Sequence, residues 1–135
     1  MAALIGAGVM DRYPKLRVAT LEAGHGWLPF WMSRIDEHAE TIAAAIPKLK
    51  GKPSEYVTGG RYFQSIEIPE GAQLTNAVAD IVGDDVLMYA SDYPHGESHF
   101  PQSTRLVLGW DMPEGRRQKL LWDNARKLYA RAGLD

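Results

Sequence analysis

Three short apolar runs, at residues 16–21, 61–68 and 86–90, are separated by stretches whose apolar residues recur at helical spacing. A chain that alternates strand and helix is constrained to a parallel sheet, because a parallel neighbour is reached only through a crossover and the crossover helices then cover the sheet. A first helix is expected over 2–13, stopped by Pro14. The longest is expected over 27–46, with Pro29 in its first turn and Leu28, Trp31, Met32, Ile35, Ala39 and Ile42 at three- and four-residue steps. A polar connection over 48–60, with one helical turn from Pro53, leads to the second strand. Residues 72–82 form the next helix, with Gly83 as its C-cap. A short helix over 102–109 precedes a last one over 113–132, whose buried stripe is Leu120, Leu121, Ala125 and Leu128.

In parallel α/β folds ligands meet the chain at the carboxyl ends of the strands. Two polar groupings fall there. The third apolar run stops on Asp92, and the loop behind it carries His95, Glu97 and His99. The first run ends at Glu22, followed by the tight loop Ala23-Gly24-His25-Gly26. A carboxylate on a rigid strand end beside an imidazole can ligate a divalent metal and take a proton from bound water. Each candidate also has an ordinary reading. Asp92 can cap the next segment, His95 can be a solvated loop residue, and Glu22 can bridge to an arginine. Arg34 can reach a substrate carboxylate or pair along its helix. Trp27, Trp31, Trp110 and Trp122 suit packing of helices onto strands, with Trp27 near enough to the mouth to touch a ligand.

Composition narrows the field. The chain has 135 residues and a net charge of −2, without a basic run, so nucleic acid is not an expected partner. It has no cysteine, which excludes thiolate metal sites and disulfides and suits a reducing cytoplasm. No apolar run approaches the ~20 residues a membrane span needs. The run Gly6-Ala7-Gly8 imitates the opening of a dinucleotide-binding turn. Asp11 stands where the third small residue belongs and would repel a pyrophosphate.

Several blocks resemble the amidohydrolase-related family, the group of aminocarboxymuconate-semialdehyde decarboxylase and related metal-dependent hydrolases and decarboxylases. They are Pro14-Lys15-Leu16-Arg17-Val18, Leu21 to Trp31, Arg34 to His38, Ser91-Asp92-Tyr93-Pro94-His95, and Trp122-Asp123-Asn124-Ala125-Arg126-Lys127-Leu128-Tyr129. The resemblance implies a partial (β/α)8 barrel of TIM type, with residues 1–135 as roughly the last three strands and their helices. A complete barrel takes ~200 residues or more.

The resemblance also implies a site. Asp92 matches the metal-binding aspartate of the last strand and is expected to act as metal ligand and catalytic proton acceptor. Glu22 and His25 are the other catalytic candidates, and His95, Trp27 and Arg34 the substrate-binding ones. The position of the family's proton-transferring histidine falls on Ala23, so either His25 reaches in from a shifted loop, or Glu22 takes over the polar role, or this branch uses different chemistry. The implied cofactor is a divalent ion, zinc by expectation, and the substrate a small carboxylate, ester or amide.

The His-x-His pair the family carries on its first strand does not occur here. The chain alone is therefore expected to bind metal weakly and to be inactive. It is also expected to self-associate or to need a missing N-terminal half, since three strands leave open edges and apolar faces such as Val18, Ile66 and Leu87 in want of cover. The alternative is a non-catalytic α/β binding or assembly module derived from a truncated barrel.

Overall fold

In the computed structural model, which describes residues 1–96 and 98–130, the three apolar runs form β1 (Val18–Thr20), β2 (Tyr62–Ser65) and β3 (Leu87–Met88). They make one parallel sheet in the order β1-β2-β3. Val18 pairs with Tyr62 and Thr20 with Gln64, and Gln64 pairs in turn with Leu87 and Ser65 with Met88. Each strand is shorter than its apolar run, because a strand extends only as far as its neighbour offers ladder partners. The parallel register brings the carboxyl ends of all three strands to one side, where Glu22, Glu67 and Asp92 follow them.

The expected first helix is two, α1 (Ala2–Gly6) and α2 (Val9–Arg12). Gly8 separates them at φ 67°, a left-handed conformation that interrupts any helix. Gly6, by contrast, is not closely packed: a Cβ there would meet nothing within 4 Å. Next comes α3 (Leu28–Thr41), which stops short of Pro47. Residues 42–45 are exposed, and a helix end with nothing to pack against gains little from continuing.

The short α4 (Pro53–Tyr56) runs into a π-helical turn (Val57–Arg61) ahead of β2. A 3₁₀ turn (Ile68–Glu70) leads into α5 (Gly71–Val82), and Gly83 caps it as expected, its amide donating to the Ala79 carbonyl (2.9 Å), with φ 87° and ψ 158°, a positive-φ but extended conformation rather than a left-handed helical one. After β3 come α6 (Ser103–Leu108) and α7 (Glu114–Gln118), then a π-helical turn (Lys119–Asp123) and α8 (Asn124–Tyr129). Residues 131 and 132 of the expected last helix, and Glu97, lie outside the described residues.

The core joins Leu28 and Met32 of α3, Val78, Ala79 and Val82 of α5, and Leu120 to Tyr62, Ile66, Val86 and Leu87 around the sheet. Ile66 and Leu87, expected to need cover, are each 2% exposed, and Val18 is half-buried. Leu120 is buried as expected, whereas Leu121, Ala125 and Leu128 are half-buried. The last helix is secured by Asn124, whose buried side-chain amide donates to the carbonyls of Asp84 (2.8 Å) and Leu87 (2.7 Å). Of the tryptophans, Trp31 and Trp122 are exposed rather than packed on strands. Among the described residues no helix is long and apolar enough to cross a membrane.

Candidate metal centre

Beyond β3 the chain passes through Ala90 and Ser91 to Asp92, whose φ of 57° turns the backbone sharply. The turn closes with the His95 amide donating to the Asp92 carbonyl (2.9 Å). That geometry folds the imidazole back over the acid: His95 Nδ1 lies 2.8 Å from Asp92 Oδ1. Beyond β1, Glu22 adopts the same left-handed backbone, φ 55°, and its amide donates to Ser65 Oγ of β2 (3.2 Å). Its carboxylate reaches to 3.6 Å from the same His95 nitrogen. Glu22, Asp92 and His95 can each offer one ligand atom, all within 4.8 Å of one another.

The three differ in exposure. The Asp92 side chain is 18% exposed, while His95 and Glu22 are about half exposed at 48% and 57%. A fixed acid beneath two solvent-facing ligands suits an ion that enters from solution and keeps open positions for water or substrate. Two carboxylates and one imidazole are oxygen-rich donors of the kind divalent cations take, manganese included. Three ligands, with no fourth from the described residues, form an incomplete shell.

Sequence reasoning missed a third acid at the strand ends. Glu67 follows β2 as Glu22 follows β1. Burial raises its pKa first of all, and the negative charges of Asp92, Glu70 and Glu22 raise it further. With Ser91, Asp92, Ser98 and His99 it lines a small cavity of about 70 Å³. The strand-end rule selects it only once β2 is known to end at Ser65 rather than at Ile68.

The other candidates lie elsewhere. His25 does not face the mouth. It is 0% exposed, with Nδ1 2.6 Å from Glu70 Oε2 and Nε2 2.9 Å from Thr75 Oγ1. Gly24, at φ 64°, turns the ring inward onto α5. Burial lowers the His25 pKa, opposed by the neighbouring Glu70 carboxylate. Trp27 is half-buried, and its indole N–H is shared between the carbonyls of Ala23 (2.8 Å) and Gly24 (3.1 Å), beside the loop that carries Glu22. Arg34 pairs with Glu37 and His38 along α3 and borders an apolar groove between α1 and α3, away from the three ligands. His99 lines the Glu67 cavity and is exposed.

The parallel sheet and its covering helices recur in known proteins. The family model described as "Amidohydrolase" matches residues 1–131. A gamma-resorcylate decarboxylase of Polaromonas sp. (strain JS666 / ATCC BAA-500) is 29% identical over 133 residues, covering 93% of this chain and 38% of that protein. The crystal structure of 5-carboxyvanillate decarboxylase from Sphingomonas paucimobilis superposes with a TM-score of 0.77 at 25% identity, over 96% of this chain and 38% of that one. A dihydroxybenzoic acid decarboxylase from Polaromonas sp. JS666, solved with bound manganese and the inhibitor 2-nitroresorcinol, superposes with a TM-score of 0.71 at 23% identity, over 96% and 38% of the two chains. The chain thus spans well under half the length of these relatives.

Proposed function

We propose, because this chain belongs to the amidohydrolase family, that it is the C-terminal portion of a metal-dependent enzyme that decarboxylates a small aromatic acid. The observation that carries the reading is the convergence of Glu22, Asp92 and His95 within 4.8 Å, from the ends of β1 and β3. The names of its relatives favour decarboxylation over hydrolysis of an ester or amide. The ion is divalent. Manganese is preferred to the zinc suggested by sequence, on the two carboxylates and on the manganese in a related structure.

When bound, such an ion supplies Lewis-acid polarisation of a substrate oxygen. The chain's own residues do the rest. Asp92, the least exposed of the three, would fix the position of the ion; it takes a proton from bound water or a substrate hydroxyl and returns it to the ring carbon as the bond to the carboxylate breaks, so that a C–H bond forms and carbon dioxide leaves. Its hydrogen bond to Nδ1 sets the orientation of the His95 ring, so that His95 serves as outer ligand or substrate contact. Glu22 closes the third side. Trp27 walls the mouth beside the Glu22 loop. His25 and Arg34, the first buried and the second on the outer face of α3, are not assigned contact with substrate.

The remaining ligands and strands belong to the rest of a (β/α)8 barrel, of which residues 1–135 are the last three strands. The chain by itself is then a weak metal binder without turnover. A cytoplasmic location is part of the same reading, in keeping with a chain without cysteine. The test is to join this chain to the segment encoded upstream and assay carbon dioxide release from hydroxylated benzoates with manganese, against Asp92→Asn. Release that Asp92→Asn leaves untouched overturns the assignment.

A second reading, a non-catalytic assembly module, is favoured by one observation: β1 and β3 are both edges of a three-stranded sheet. Edges of that kind recruit further strands.

A further inference from the structure

We propose that Glu70 is the positioning residue of the centre, holding the loop that carries Glu22 through His25 and two backbone amides. Its carboxylate accepts from the amide of His25 (Oε2, 2.7 Å) and from the amide of Gly26 (Oε1, 2.9 Å), and Oε2 also lies 2.6 Å from His25 Nδ1. One side chain at the start of α5 thus accepts the backbone N–H groups of residues 25 and 26 and lies against the imidazole, whose Nδ1 is also reached by the amide of Glu67 (3.4 Å). The far side of the imidazole is fixed by Thr75, one turn along the same helix. The loop is built to admit this carboxylate. A Cβ on Gly26 would stand 3.0 Å from Glu70 Oε1 and 2.8 Å from Leu74 Cδ2, and one on Gly24 would stand 3.2 Å from both Glu70 oxygens.

Glu22 makes no bond to Glu70. Its own amide is held by Ser65 Oγ, and the Gly24 carbonyl accepts from the buried Gln64 side chain (2.7 Å). The loop therefore has two anchors, β2 on one side and Glu70 on the other. A half-exposed glutamate in left-handed backbone keeps its place only if both hold. A carboxylate that accepts several N–H bonds in a partly buried setting is the strongest single anchor available to such a loop. The proposal rests on the reading of Glu22 as a member of the metal centre, but its test does not need the metal.

The experiment is amide hydrogen exchange by NMR on the metal-free chain, comparing wild type with Glu70→Gln and with Ser65→Ala. In Glu70→Gln the amides of His25 and Gly26 should exchange faster in either case, since they lose a charged acceptor. The decisive amide is that of Glu22, whose acceptor is Ser65. If Glu70 positions the loop, Glu22 exchange accelerates about tenfold or more in folded Glu70→Gln, as it does in Ser65→Ala. If Glu22 exchange stays as in wild type while His25 and Gly26 change, Glu70 is only a local partner and the proposal is overturned. Should Glu70→Gln not fold, Glu70→Asp, charged but one methylene shorter, carries the same measurement. A parallel manganese titration keeps the two readings apart. Loss of Glu22 protection with no manganese binding in wild type would leave the positioning role intact and remove the metal centre.

Discussion

His95 Nδ1 sits 2.8 Å from Asp92 Oδ1, and the backbone turn between them closes on itself through the His95 amide and the Asp92 carbonyl. The acid and the imidazole form one hydrogen-bonded unit within a single turn, whereas Glu22 follows a strand that is separate in sequence. The pair should therefore respond together to a metal ion and Glu22 independently.

Titration of the chain with manganese or zinc should give an affinity weaker than about 1 µM, since an incomplete shell leaves most positions to water. Asp92→Ala should abolish the residual binding, and Glu22→Gln should weaken it less. Isothermal calorimetry measures both. Tight binding that survives Asp92→Ala would remove Asp92 from the centre.

Glu67 should make metal-free stability depend on pH. Its pKa in the fold lies above the ordinary glutamate value of 4.5, so ionising it costs the folded state more than the unfolded one. Its favourable contribution is complete below that ordinary value and is lost as pH rises through the folded one. Glu67→Gln should accordingly raise the melting temperature near neutrality, with the gain vanishing toward about pH 4. Thermal melts of both proteins across that range test the sign. A gain that grows on acidification would contradict the crowding of negative charge around Glu67.

Leu28→Ala should destabilise the chain by about 2–5 kcal/mol, the usual loss for a buried leucine. Leu28 is 0% exposed and follows directly on the Glu22 loop at the start of α3. Against a total stability of ~5–15 kcal/mol the change is easily read by urea denaturation. A loss near zero would mean that α3 does not pack as described.

Light scattering should show association that grows with concentration, because β1 and β3 each leave a strand edge unpaired within the sheet. A lone monomer at all concentrations, with one sharp unfolding transition, would speak against both the barrel-fragment reading and the assembly module.

Much of this arrangement was legible in the residues. The alternation of apolar runs with helical spacing gave the three parallel strands, and strand ends followed by acids gave Glu22 and Asp92. The break at Gly8 was not legible, because two glycines in a helical pattern do not announce which will adopt positive φ. The side-chain direction of His25 was hidden for a related reason. A loop histidine beside an acid reads as a site residue until Gly24 turns it inward, and its partners Glu70 and Thr75 are some 45 and 50 positions away. Glu67 was overlooked because it sits between Ile66 and Ile68 and reads as a continuing strand, although β2 ends at Ser65. The π-helical turn at Lys119–Asp123 has no signature in an apolar stripe, which stays helical through it.

Glu22 and Asp92 are the only described residues other than glycine with positive φ. At each position a bare hydrogen in place of the side chain would relieve the backbone by about 1 kcal/mol or more. A campaign to thermostabilise this protein by ranking substitutions on melting temperature would take glycine at both places early and erase the two carboxylates together. Here durability and chemistry pull in opposite directions at the same two codons, so selection for heat resistance alone would be expected to disarm the molecule before it improved it.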